Sequence, residues 1–277
     1  MVRLMHGFGS SEILCLRSVI SLLISTAITS LLNHSPYTND KQLHKLLMIR
    51  CIIAGIGHYC FYQSIYMLDV TESVTISQTS PFWTTILAGL ILKEKLRPNL
   101  FLTLIFSFVG ILLIIQPTFI KEILGIQVDK YQGDQSERMM GLIFGLLQSF
   151  SISTAMIIVK KLSAGIQNTI IIHYAVLSTA IISGLDLIYK GGFNQKIYEP
   201  ENLIFVFFIG LTNYSAQIIY SRAIMLGQAS KVGPLTYSQI LFGFIIEITI
   251  FHKDVSLLNI AGAILILLGN IESIKGK

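Results

Sequence analysis

Apolar and polar residues fall along the chain in long blocks rather than in alternation. Nine apolar runs are separated by polar connections, at residues 13–32, 46–67, 74–92, 100–115, 139–159, 169–189, 203–225, 232–251 and 257–270. Most approach the about 20 residues with which an α-helix crosses a hydrocarbon layer of about 30 Å. Transmembrane strands would alternate in hydrophobicity, whereas stretches such as 111–115 are apolar at consecutive positions. The pattern predicts an all-α, polytopic membrane bundle of about nine transmembrane helices.

The composition agrees with a membrane location. Hydrophobic residues make up 53% of the 277 positions and charged residues 13%, whereas soluble proteins carry about 25% charged residues. The net charge of +5 comes mostly from residues in the connections, where positive side chains set topology. We therefore expect the lipid bilayer and a small-molecule solute as partners, and no nucleic acid. A homodimer is left open, and the pattern does not indicate which membrane holds the protein.

The positive residues also predict an orientation. If the C-terminus is cytoplasmic, one side collects Lys41, Lys45, Arg50, Lys93, Lys95, Arg97, Lys160, Lys161, Arg222, Lys231, Lys275 and Lys277. The other side holds fewer, namely Arg3, Lys121, Lys130, Arg138, Lys190, Lys196 and Lys253. Because Lys and Arg accumulate on the cytoplasmic side, a cytoplasmic C-terminus is predicted. Arg50 and Lys160 stand at boundaries of apolar runs and are interpreted as topology anchors.

Motifs for catalysis or metal binding are missing from the sequence. Cys15, Cys51 and Cys60 lie within apolar runs without CxxC or Cys/His spacing, which indicates thiols that pack between helices. The chain has no HExxH, GxSxG or P-loop motif, and Asp186 is the only Asp within an apolar run. We predict that the protein is not an enzyme and has no catalytic residues, metal site or cofactor.

The two halves of the chain resemble one another. Aligning Tyr62 with Tyr220 matches the residues around them and also brings Val74 over Val232. A repeat with an odd number of helices inverts its copy, an arrangement found in many secondary transporters. The predicted units are a first repeat of four helices, a polar inter-repeat loop and a second repeat of five helices, at residues 1–118, 119–138 and 139–277.

Several of these segments resemble a known family. The stretch from Glu12 to Arg17 is similar to the second helix of the EamA-like drug/metabolite transporter superfamily, including its arginine. Pro81, followed later by Glu94, resembles that family's proline-centred fourth helix and its glutamate-lysine turn. Residues 229–237 look like the entry to its ninth helix. The arrangement is most similar to the G-like branch of solute carrier family 35.

The resemblance implies two inverted five-helix repeats. It also implies transport of a small organic solute, of the metabolite or nucleotide-sugar class, by alternating access. Two features depart from the family pattern: residues 1–9 represent at most a remnant of the first helix, and His252 or Lys253 replaces the glutamate of the turn in the second half. The alternative is a non-transporting or truncated membrane protein that regulates another membrane protein.

The second apolar run carries a polar face. Gly55, Tyr59, Tyr62 and Tyr66 recur at helical spacing, with Gln63 at the margin of the face. In a carrier with inverted repeats, the solute binds near the midplane between the two halves. Tyr59, Tyr62 and Gln63 are therefore candidates to line that cavity.

A second polar face occurs in the seventh apolar run. Asn213, Gln217 and Tyr220 recur at i, i+4 and i+7, and the alignment of the halves places them over the first face. The two faces are predicted to line one cavity, with Gln78 and Tyr237 as further candidates. The alternative is that these side chains form hydrogen bonds between helices, worth about 0.6 kcal/mol each.

Charged and proline residues inside the runs suggest further roles. A charged side chain at the bilayer centre costs at least about 2.5 kcal/mol, so Arg17 and Glu247 are candidates for an ion pair. Arg17 is also a candidate to bind an anionic group of the solute, or else extends to the interface. Pro81 and Pro234 interrupt their runs and are candidates for gating kinks.

Overall fold

The described part of the chain is helical throughout its regular structure. A computed structural model describes residues 10–34, 40–68, 70–96, 98–116, 135–190, 192, 200–249 and 257–275. The helices of the first half are α1 (Ser10–Leu31), α2 (Lys41–Met67), α3 (Val70–Ser77), α4 (Ser80–Ile91) and α5 (Pro98–Ile115). Those of the second half are α6 (Gln135–Leu162), α7 (Asn168–Tyr189), α8 (Pro200–Leu226), α9 (Ala229–Leu235), α10 (Ser238–Thr249) and α11 (Leu257–Lys275).

The helices correspond to the nine apolar runs. Five of them, α1, α2, α6, α7 and α8, are long and apolar enough to cross a membrane, and α5 and α11 are shorter apolar helices. The runs 74–92 and 232–251 each form a pair of helices, α3 with α4 and α9 with α10. The predicted all-α membrane bundle is confirmed.

The two broken runs are interrupted at matching positions. The first break lies at Gln78 and Thr79 and the second at Thr236 and Tyr237. Residue 236 follows residue 78 by 158 positions, the same spacing that separates Tyr220 from Tyr62. The breaks therefore fall at equivalent positions under the alignment of the two halves.

The prolines stand next to the breaks rather than at them. Pro81 lies in the first turn of α4, where backbone N–H groups have no partner within the helix and a proline removes no hydrogen bond. Pro234 lies inside α9, two residues before the second break. Each proline thus adjoins one end of an interruption.

Two helix starts show how local chemistry sets the boundaries. Asp40 caps α2, because its carboxylate accepts hydrogen bonds from the backbone N–H groups of Gln42, at 2.8 Å, and Leu43. Helix α6 begins at Gln135, so the last residues of the predicted inter-repeat loop are helical. Glu137 in its first turn suits the positive end of a helix dipole.

The rest of the predicted inter-repeat loop lies outside the described residues, as do the predicted helix remnant 1–9 and the 252–253 turn.

The most extensive helix contacts join the two halves: α2 packs on α6, α5 on α11 and α1 on α7. Glycines permit these approaches. A Cβ built on Gly110 would lie 2.6 Å from the Gly262 carbonyl oxygen, and one on Gly262 would lie 2.5 Å from that of Gly110. Gly141 and Gly145 of α6 face Leu68 and the end of α3, which is the small-xxx-small packing that their spacing indicates.

An apolar cluster packs at one end of the bundle, and we call it the plug. It is built from six helices and one connection and consists of Leu47, Cys51, Ala88, Ile157, Ile158, Val159, Leu162, Ile166, Ile171, Ile224 and Ala229. It lies at the end that carries Lys160 and Lys161 and is predicted to be cytoplasmic. Cys15, Cys51 and Cys60 are all free and buried.

Candidate functional site

Polar residues of α2 and α8 meet through α1. The Arg17 guanidinium carbon lies 5.3 Å from the centroid of the Tyr62 ring, which joins α1 to α2. One turn along α1, the Ser21 hydroxyl donates to the Gly210 carbonyl at 2.8 Å and accepts from the Asn213 amide at 3.2 Å. Helix α1 therefore brings the guanidinium group, the aromatic ring and the carboxamide into one region of the bundle.

The polar side chains of α8 lie in a row along one face of the helix. Gln217 Nε2 donates to Asn213 Oδ1 at 3.4 Å, and Tyr220 lies one turn further along. All three side chains are half-buried, and Tyr220 packs against the plug. The row thus extends from the α1 contact to the plug.

The predicted face of α2 is divided among several neighbours. Tyr62 packs on α1, whereas the Tyr59 hydroxyl donates to Asp186 Oδ1 of α7 at 3.3 Å. A Cβ on Gly55 would clash with Ile182 of α7, and Tyr66 is 75% exposed. Because α2 is surrounded by α1, α6 and α7, helical spacing alone does not place these residues in one space.

Asp186 is the centre of a second polar group, near the end of α7. Its carboxylate accepts hydrogen bonds from the Ser11 and Tyr59 hydroxyls and pairs with Lys190 Nζ at 2.9 Å. Lys190 also donates to the Ser11 hydroxyl at 2.9 Å. These contacts fasten the start of α1 and the middle of α2 to the end of α7.

The remaining candidates are Gln63, Gln78, Tyr237 and Glu247. Gln63 and Gln78 are buried, and Tyr237 is buried in an apolar cluster with Leu104 and Ile111. The Tyr237 hydroxyl has no hydrogen-bond partner among the described residues. The Glu247 side chain lies outside the described part, so its pairing with Arg17 stays a prediction.

Two residues interpreted as topology anchors donate hydrogen bonds to neighbouring helices. Arg50 is only 1% exposed, and its Nη1 donates to the Ile171 carbonyl at 3.1 Å. Its Nε has no partner within the described residues. Lys160 Nζ donates to the Met225 and Gly227 carbonyls at the end of α8. Arg50 therefore lies inside the bundle, Lys160 is half-buried at a helix end, and their role as topology anchors stays a prediction.

A stripe of serines on α1 was missed from the sequence. Ser18, Ser21 and Ser25 recur at i, i+3 and i+7, and all three are buried. Ser21 binds α8, and the Ser25 hydroxyl lies 3.2 Å from His173 Nδ1 of α7. Their common spacing on one helix face was the available signal. Within the described ranges no group of three His, Cys, Asp or Glu side chains could hold a metal ion.

Comparison with known proteins gives concordant matches. The EamA-like transporter family model matches residues 1–116 and 139–271. Human solute carrier family 35 member G1 is 23% identical over 271 residues, covering 98% of this chain and 73% of that protein. The pseudopaline exporter CntI of Pseudomonas aeruginosa is 21% identical over 268 residues, covering 97% and 87%. One crystal structure shares the fold, with a TM-score of 0.74 at 13% identity, covering 98% of this chain and 90% of that one.

Proposed function

The chain belongs to the EamA-like transporter family, and we propose that it moves a small organic solute across its membrane by alternating access. It is a multi-pass membrane protein of a transporter family rather than an enzyme. The proposed solute belongs to the metabolite or nucleotide-sugar class. The names of its relatives, a solute carrier and an exporter, support transport of a small molecule.

The proposal is carried by the meeting of polar residues at α1. Arg17 on Tyr62, and Asn213 on Ser21, set charged, aromatic and amide groups inside a bundle whose outer surface is apolar. Sites for small molecules typically combine apolar walls with a few convergent polar groups. In transporters with inverted repeats such a site lies between the two halves.

The matched breaks at 78–79 and 236–237 support alternating access. Discontinuous helices at corresponding positions of two halves are typical of transporters that rock one half against the other. The plug closes one end of the pathway in this conformation, since it combines residues of both halves. The opposite end is the proposed entrance in the same state.

Counterflow into liposomes tests the proposal. The purified chain is reconstituted, and uptake of labelled nucleotide sugars, amines and organic acids is measured against vesicles preloaded with the same compound. We expect saturable counterflow of at least one compound, and its loss in Gln217→Ala. Ser215→Ala, on the exposed side of α8, is the matched control. Absence of counterflow for the whole panel would contradict the proposal, and equal behaviour of the two variants would remove Gln217 from the site.

A further inference from the structure

Glu94 binds the start of α9 from the opposite half of the chain. It follows α4, and its Oε1 accepts a hydrogen bond from the Ala229 backbone N–H at 2.9 Å. Its Oε2 accepts from the Ser230 backbone N–H at 3.0 Å and from the Ser230 hydroxyl at 2.5 Å. Three hydrogen bonds therefore join this one carboxylate, on the segment that follows α4, to the second half of the chain.

Lys160 of α6 binds the end of α8. Its partners lie a few residues before Ala229, where Glu94 binds the start of α9. Its Nζ donates to the Met225 carbonyl at 2.9 Å and to the Gly227 carbonyl at 2.6 Å. A helix end presents unpaired carbonyls, which favour a cation, and a helix start presents unpaired N–H groups, which favour an anion. The turn between α8 and α9 is therefore held by a cation on one flank and by Glu94 on the other.

The backbone after α4 directs Glu94 to this turn. Lys93 has a φ of +54°, a left-handed conformation that is uncommon for a residue with a side chain. This reversal returns the Glu94 N–H to the Ala88 carbonyl at 3.2 Å. Ala88 itself belongs to the plug, so the position of the carboxylate is tied to the closed end of the bundle.

We propose that Glu94, bound to the α8–α9 turn that Lys160 holds in place within the second half, forms a latch that closes the solute pathway at the end predicted to be cytoplasmic. The inference rests on the alternating-access transport proposed above. Glu94 belongs to the first half and the α8–α9 turn to the second, and the plug residues Ala88, Ile224 and Ala229 adjoin their contact. Opening at this end separates α4 from α9 and breaks the three hydrogen bonds of Glu94.

The exposure of the two charged side chains suits a contact that breaks repeatedly. Glu94 and Lys160 are half-buried at the rim of the plug rather than enclosed by it. Water can replace the backbone partners of Glu94 when the turn moves away, so its charge is not left unsolvated, while Lys160 keeps its carbonyl partners in the same half. A fully enclosed charge would lose its partners at a cost of several kcal/mol, which would hold this end shut.

A native thiol reports the opening. Cys51 is 5% exposed within the plug, and Cys15→Ser with Cys60→Ser leaves it as the only cysteine. We expect N-ethylmaleimide to label Cys51 at least about tenfold faster in Glu94→Gln, since hydrogen bonds to a charged group are lost. Lys160→Met should also make the labelling of Cys51 faster. It serves as the test if Glu94→Gln does not fold.

Glu137→Gln is the control, because Glu137 is exposed in the first turn of α6 and outside the latch. It should label like the parent chain. Labelling at the parent rate in both latch variants would overturn the latch. Faster labelling in the latch variants alone supports it, and equally fast labelling in Glu137→Gln would also overturn it.

A cross-linking experiment distinguishes failure of the latch proposal from failure of the transport proposal. Glu94→Cys and Ser230→Cys are combined in a chain whose three native cysteines are replaced by serine, and a bifunctional methanethiosulfonate joins them. We expect the cross-link to stop counterflow and dithiothreitol to restore it. Full counterflow after complete cross-linking overturns the latch while leaving the transport proposal intact. Absence of counterflow in the wild type overturns the transport proposal, whereas Cys51 labelling still decides whether Glu94 closes this end.

Discussion

The Arg17 guanidinium lies over the Tyr62 ring, 5.3 Å from its centroid, and links α1 to α2. The ring is buried against Ile13 and Leu14, so its face is fixed in position. A guanidinium over an aromatic ring contributes about 0.5–2 kcal/mol, depending on desolvation. A double-mutant cycle of Arg17→Met and Tyr62→Leu, read by thermal unfolding in detergent, should give a coupling of about 1 kcal/mol. Tyr62→Phe, which keeps the ring, should retain most of it, and a coupling of zero would show that the contact adds nothing.

Arg17 is also expected to contribute to transport. Arg17→Lys keeps the charge but loses the planar fork that binds a carboxylate or phosphate by two hydrogen bonds. Arg17→Lys should therefore reduce counterflow clearly, whereas the melting temperature should fall little. If the partner is Glu247 instead, Arg17→Ala should destabilise the protein, and adding Glu247→Gln should recover part of the loss. Unchanged uptake and unchanged stability in Arg17→Ala would leave Arg17 as a boundary residue.

The Tyr59 hydroxyl is occupied by Asp186, which predicts a structural role. Tyr59→Phe removes one hydrogen bond to a partly buried carboxylate and should lower the free energy of unfolding by about 1–2 kcal/mol. The KM for counterflow should stay unchanged. Tyr66→Phe, at an exposed position of the same helix, is the control. A raised KM with unchanged stability would instead place the Tyr59 hydroxyl at the solute.

Arg50 carries its charge inside the bundle with one described hydrogen bond, to Ile171. Enclosing a charge in the bundle costs several kcal/mol of desolvation unless an ionic partner offsets it. Arg50→Met should therefore raise the melting temperature in detergent. Lys45→Met, at an exposed position one turn nearer the start of α2, is the control and should change it little. A lower melting temperature in Arg50→Met would show that the charge is satisfied within the native protein.

The spans were predictable from the sequence because length and continuous apolarity determine them. The breaks in the runs 74–92 and 232–251 were predicted only approximately, from Pro81 and Pro234, which each stand two residues from a break. The polar stretches at residues 77–80 and 236–239 mark the breaks themselves. Arg50 shows a related limit. Its position near the end of an apolar run predicted an interfacial anchor, whereas the direction of its side chain depends on α7, which follows more than a hundred residues later.

The two polar faces differ in how far helical spacing predicted them. On α8 the spacing of Asn213 and Gln217 was sufficient, since the two side chains bond to each other along one helix. On α2 the residues at the same spacing have different neighbours, with Tyr59 bound to α7 and Tyr62 to α1. Helical periodicity predicts which residues share a side, and only tertiary packing determines what that side meets.

The contact between α5 and α11 provides a test of packing that is independent of transport. A Cβ on Gly110 would lie 2.6 Å from the Gly262 carbonyl oxygen and 2.9 Å from the Ile266 side chain, so the two helices must move apart. Overpacking of this kind costs about 1–3 kcal/mol, and Gly110→Ala should lower the melting temperature accordingly. Gly184 in α7 has no atom within 4 Å of a built Cβ, so Gly184→Ala should be neutral or stabilising by about 0.5–1 kcal/mol through its helix propensity. Equal effects of the two substitutions would show that the close approach of α5 and α11 is not required for stability.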